Sequence, residues 1–238
     1  MLDRLLVPTF GPSDWRRLLA DPLGHWVRSK SAYEIAVSWE SARGTRRGLP
    51  NEVAQILDSH DDLEGAELLL GIPEHRVSLP GGGHASQTDL WALLKQNGRL
   101  LSLAVEGKAG EPFDKTVGEW LADAKPKSGK PDRLNFLRER LGISEDLASI
   151  RYQLLHRTAS AILEAERFAA QLSILLVQSF GGPKDEASFS EFRAFGGLFS
   201  VALTAGRLQE VKVPGSVRVF LGWVACPCAG EPELAAAV

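Results

Sequence analysis

The spacing of apolar and polar positions changes character near residue 66. Before it the period is helical. Ser13-Asp14-Trp15 predicts a short helix with Ser13 as its N-cap. Ser31–Ala42 gathers Tyr33, Ala36, Val37 and Trp39 on one stripe, and Pro50-Asn51-Glu52 opens a third helix with Val53, Ile56 and Leu57 inward. After residue 66 the pattern is strand-like. Glu67–Leu70 and Arg76–Leu79 are short apolar runs, and Pro80-Gly81-Gly82-Gly83 is a loop. Two long runs follow, Thr88–Gln96 and Arg99–Gly107, joined by Asn97-Gly98. An Asn-Gly pair between strand-like runs predicts a two-residue hairpin turn, because both residues tolerate positive φ. Beyond it, Glu111–Gly142 reads as polar and helical with a loop at Lys125–Lys130, and Arg151–Ala170 as the longest helix. Leu172–Phe180 reads as a buried strand, Phe189–Leu203 as a helix and Ser216–Ala225 as a last strand. The order predicts one layered α/β (α+β) domain with a mixed central sheet over residues 1–238.

Counting outward from a two-residue turn places Asp89 opposite Glu106 and Gln87 opposite Lys108. Side chains alternate along a strand, so these four share one face. The other face carries Leu90 with Val105, Ala92 with Leu103 and Leu94 with Leu101, which is a core face. Like charges directly opposite are destabilising. Two carboxylates held that close either share a proton or bind a cation, and hard divalent cations prefer carboxylate oxygen. The bland alternative is a solvated sheet face that Lys108 neutralises. Gln153, Arg157, Ser160 and Glu164 form a stripe on the long helix, either a solvated face or, near its N-terminal end, a phosphate contact shared with Arg151.

Thr88-Asp89, sixteen residues, then Glu106-Gly107-Lys108 resembles the signature of the PD-(D/E)XK nuclease superfamily, the restriction-endonuclease-like fold. Thr88 stands where the family's name has proline. The resemblance covers about residues 30–180 and implies a core of helix, three strands, helix and fourth strand, with residues from about 185 to 238 as a helix-strand extension. It implies Mg²⁺ (or Mn²⁺) held by Asp89, Glu106 and the Gly107 carbonyl, with Lys108 positioning the attacking water. Glu40 or Glu52 is the candidate for a further acidic residue on a helix. Gln87, Gln153, Arg151 and Arg157 are candidates for supporting contacts. The implied activity is metal-dependent hydrolysis of DNA or RNA phosphodiesters. The rival expectation is an inactive nuclease-like binding or assembly module of a bacterial defence or mobile-element system.

Composition narrows this little. The 238 residues are 44% apolar and 24% charged, enough for a core without disulfides. Cys226-Pro227-Cys228 has no companions at metal-ligand spacing. No apolar run approaches the length of a membrane span, and Met1–Pro8 shows no secretory signal, so the expected compartment is the cytoplasm. The net charge of −3 gives no support to a nucleic-acid partner, although the basic stretches Arg43–Arg47 and Lys125–Arg133 are candidate backbone contacts. A homodimer is compatible with the sequence.

Overall fold

Alternation over Thr88–Gly107 leaves these residues one way to bury Leu90, Ala92, Leu94, Leu101, Leu103 and Val105 together, and all six enter one buried cluster. In the computed structural model, which describes residues 9–125 and 127–229, strands β2 (Ser86–Gln96) and β3 (Arg99–Lys108) pair antiparallel from Gln96–Arg99 to Leu90–Val105. Asn97 and Gly98 take φ of 47° and 78°, the positive values that the turn needs. The Met1–Pro8 reading and Pro126 of the Lys125–Lys130 loop lie outside the described residues.

Strand β1 (Glu67–Val77) is one eleven-residue strand, where two short runs were expected. Gly71 and Pro73 break its apolar pattern. The strand is at the sheet edge, where proline is tolerated, and a register shift between Leu68 and Leu70 absorbs the irregularity. Strand β4 (Leu172–Ser179) runs parallel to β3, and a parallel neighbour demands a crossover. The crossover contains α3 (Val117–Ala122), α4 (Lys130–Leu141) and α5 (Tyr152–Arg167). The polar stretch Glu111–Gly142 therefore holds two short helices with irregular chain around them. After β4 come α6 (Glu186–Gly197), β5 (Leu208–Val211) and β6 (Arg218–Ala225). The four-residue β5 was not foreseen; too short to show a period, it pairs with β6. The sheet order is β1-β2-β3-β4-β6-β5, mixed, so the C-terminal strands extend the same sheet.

Helices cover both faces. Ile35 and Trp39 of α1 (Ser31–Ala42) pack under the hairpin's apolar face, and Val53 and Ile56 of α2 (Asn51–Asp58) join the same buried cluster against β6. Val117, Leu137, Leu155 and Phe192, from α3 to α6, pack on the other. Pro12–Leu18 is a 3-10 helix preceded by Gly11, so Ser13 lies inside it and is not the cap. No helix among the described residues is long and apolar enough to cross a membrane.

The polar stripe of α5 is not solvated. Arg157, Ser160 and Glu164 are buried, because α5 lies across β2, β3 and β4 and each group finds a partner in the sheet or in its own helix. Ser160 donates to the His156 carbonyl, and Glu164 faces His75 of β1 at 3.2 Å.

Candidate functional site

The hairpin ladder ends at Leu90–Val105, and Asp89 and Glu106 come next. There the Gly107 N–H donates to Asp89 Oδ2 at 2.7 Å, so a side chain occupies the place of a backbone acceptor. Gly107 also lets the first turn of α1 approach: a Cβ there would lie 2.7 Å from Ile35 Cγ1 and 3.0 Å from Ser31 Cβ. Between Glu106 and Lys108, no larger residue fits without displacing α1.

Glu106 is buried and collects cations and donors from two elements. Arg157 Nε donates to Oε2 at 2.8 Å, Lys108 Nζ lies 3.2 Å from Oε1, and the Gln153 amide donates to Oε1. Lys108 Nζ also lies 3.4 Å from Gln153 Oε1 and sits over the Phe113 ring at 4.5 Å. Arg157 donates to Ser86 Oγ at 3.2 Å, and Ser86 Oγ lies 2.8 Å from His156 Nδ1.

A third carboxylate joins them. β1 pairs Pro73 with Leu90 and His75 with Thr88, which sets Glu74 abreast of Asp89. Glu74, Asp89 and Glu106 thus occupy neighbouring positions on three adjacent strands. Gln87 Nε2 donates to Glu74 Oε2 at 2.6 Å and accepts from Arg76. Glu74 holds φ of 54°, a left-handed conformation that non-glycine residues seldom adopt.

The environments push these acids apart. Burial, then repulsion from Glu106, raises Asp89 to about 7 against the pull of Arg157. Burial, then repulsion from Asp89, raises Glu74 to about 8. Glu106 is also penalised by burial, but Arg157 and Lys108 more than offset it and hold its carboxyl below the ordinary value. Near neutral pH one carboxylate is firmly ionised and two stand close to their midpoints. His156 is held well below its usual value by burial and by the Arg157 charge, so its imidazole is neutral.

The structure thus gathers Asp89, Glu106, Gly107, Lys108, Gln87, Gln153 and Arg157. It does not bring in Glu40, whose carboxylate accepts from Thr9, Trp15 and Arg43 and ties the N-terminal segment to α1. Glu52 lines a separate cavity of about 270 Å³ beside Cys226 and Cys228. Arg151 pairs with Glu191 and donates to the Asp114 carbonyl, so it anchors the start of α5. The basic stretches are engaged internally as well. Arg47 holds Asp58 and the Ala66 carbonyl, and Arg133 donates to the carbonyls of Leu79, Pro80, Gly82 and His84. Trp91 is a core residue that bonds Ser102. Glu74 was the residue missed: only the register of an edge strand containing a proline could have found it.

Among the described residues no three His, Cys, Asp or Glu side chains are gathered so as to hold a metal ion. Mg²⁺ does not need three; one or two carboxylates with water and substrate phosphate suffice. A carboxylate has about four acceptor sites. Asp89 spends one on Gly107, and Glu106 spends three on Arg157, Lys108 and Gln153. Asp89 and Glu106 would be the residues to hold such an ion, through the oxygens that Gly107, Arg157, Lys108 and Gln153 leave free.

Fold and site together define a mixed α/β protein with a buried carboxylate–lysine cluster where two strands part. The chain belongs to the family described as domain of unknown function DUF6946, whose model matches residues 8–228. Comparison with curated proteins and with solved structures returned no match.

Proposed function

We propose that this protein is a metal-dependent nuclease with a restriction-endonuclease-like core, hydrolysing phosphodiester bonds of DNA or RNA in the cytoplasm. The observation that carries the reading is the convergence of Asp89, Glu106 and Lys108 with Gln153 at the parting of β2 and β3. The element order around them supports it: α1, the β1–β2–β3 meander, α5, then β4 parallel to β3.

Asp89, Glu106 and the Gly107 carbonyl would hold Mg²⁺ or Mn²⁺. When bound, such an ion polarises the scissile phosphate and makes a coordinated water more acidic. The chain's own residues do the rest. Arg157 and Lys108 keep Glu106 ionised. Lys108 has three donors and spends two on Glu106 and Gln153, so the third can orient the attacking water or steady the phosphate. Gln153 fixes Glu106 and Lys108 relative to each other.

A second reading, a nuclease-like binding or assembly module without activity, draws on one observation: Glu106 is already paired with Arg157, Lys108 and Gln153. The test is cleavage of single-stranded, double-stranded and branched DNA and RNA with Mg²⁺ or Mn²⁺. Wild type should cut at least one class. Lys108→Ala and Lys108→Met should lose on the order of 10²-fold or more. Glu106→Gln should weaken the dependence on the ion. Absence of wild-type cleavage on every substrate favours the binding module.

A further inference from the structure

The cluster has a neighbour that the proposed chemistry does not use. A cavity of about 420 Å³ lies between the Gly81–Gly83 loop and the rings of Trp120, Tyr152 and His156, with Asp114 and Lys130 also on its wall. It adjoins the carboxylates through single residues. Tyr152 lines it while Gln153, next in sequence, bonds Glu106; Ser86 and His156 line it while both contact Arg157. We propose that this cavity is the subsite for one unpaired nucleobase beside the scissile phosphate, so the substrate is a single strand or a frayed end, not an intact duplex. This rests on the nuclease reading for the phosphate, but the binding claim stands by itself.

Four observations carry it. The wall is a run of rings: Trp120 stacks on Tyr152 at 4.0 Å with planes 10° apart, and Tyr152 meets His156 at 4.7 Å. Lys130 Nζ donates to the Trp120 carbonyl at 2.5 Å and lies 5.2 Å from the centre of the Trp120 ring, so one cation is held at that wall. Aromatic surface with a nearby cation suits a base and its phosphate, and stacking is indifferent to sequence. The volume suits one nucleotide and is far too small for a duplex.

The opposite wall is preformed. Gly81, Gly82 and Gly83 all have positive φ, and Arg133 pins this loop by four carbonyls. Gly81 and Gly129 touch so closely that a Cβ on either would strike the other's backbone. A rigid cavity spends little ordering entropy on its ligand. Finally, the chain is acidic overall, and Arg47 and Arg133 are committed to internal carbonyls and carboxylates. Neither arginine is left to grip a duplex by its phosphates, while the ring wall gives a base aromatic surface to meet.

The experiment measures binding in EDTA, without cleavage, to a six-nucleotide single strand of DNA, the same strand of RNA, and a blunt duplex of that DNA. Titrations follow tryptophan fluorescence and anisotropy. Either single strand should bind at least tenfold more tightly than the duplex and quench the fluorescence. Trp120→Ala should weaken single-strand binding about tenfold and remove most of the quench. Trp120→Phe should keep most of the affinity. Ser128 also lines the cavity, and Ser128→Trp should fill it and block binding with the melting temperature unchanged. Equal affinity for duplex and single strand, or Trp120→Ala binding as wild type does, overturns the proposal even if the enzyme cuts. Trp120-dependent binding without any metal-dependent cleavage upholds the subsite and removes the nuclease reading.

Discussion

The two ends of the β2–β3 hairpin are made of the same two strands and behave as opposites. At the turn end, backbone pairing continues to Gln96–Arg99, and Asn97 and Gly98 supply the positive φ that closes it. At the open end, pairing stops at Leu90–Val105, a carboxylate takes a backbone N–H, and three acids stand abreast. The turn end obeys every local rule. The open end breaks several at once, with like charges opposed, buried acids held near neutrality and Glu74 in a left-handed conformation. Departures from local consistency that the surrounding structure maintains are characteristic of functional sites.

The comparison breaks most sharply at Glu106. Glu106→Ala leaves Arg157 and Lys108 buried without their partner and should cost about 3–5 kcal/mol in urea unfolding. A loss under 1 kcal/mol would mean that the network contributes nothing to holding the open end. At the turn end, Gly98→Val should cost about 1–2 kcal/mol. An added Cβ there meets nothing within 4 Å, so the cost is conformational alone. A much larger loss would refute the positive-φ turn.

Acidity separates the ends more gently. Asp89 and Glu74 stand at about 7 and about 8, above their unfolded values of 3.8 and 4.5. Between those limits the folded chain binds protons that the unfolded chain has released. Stability without divalent cations should therefore fall as pH rises from about 5 to 8 and level off above it. Glu106, held low, acts oppositely, and its contribution is lost only in acid, below its unfolded value. Thermal melts in EDTA across this range check the slope; a rise from pH 5 to 8 would contradict it. The smallest effect belongs to Asp89→Asn. An amide oxygen can still accept from Gly107 and carries no charge to repel Glu106. Stability at pH 8 should stay the same or increase, and the pH slope should flatten. A loss of about 2 kcal/mol or more would assign Asp89 a structural role.

The hairpin, its register and its two faces were legible because period-2 alternation and an Asn-Gly turn are local signals, and local signals survive folding. Asp89, Glu106 and Lys108 inherit their placement from that register. Gln153 and Arg157 were legible as part of a stripe but not as one that buries Arg157, since a helical period says which residues share a face and not what covers it. Glu40 was misplaced for the same reason: its helix was read correctly, but the Thr9–Trp15 segment that claims its carboxylate is remote in sequence.

What the sequence determined by itself was whatever depends on neighbours a few residues apart: the turn, the alternation, the long helix and the nearness of two carboxylates just past the paired ladder. Tertiary structure alone decided the rest. Laying β1 along β2 brought Glu74 abreast of Asp89, laying α5 across the sheet delivered Arg157 to Glu106, and threading Arg133 through four carbonyls shaped the cavity beside them. Each of these needs the free energy of burying two apolar helix layers against one sheet. That energy is collective, spread over the whole chain, and appears in no local window of residues.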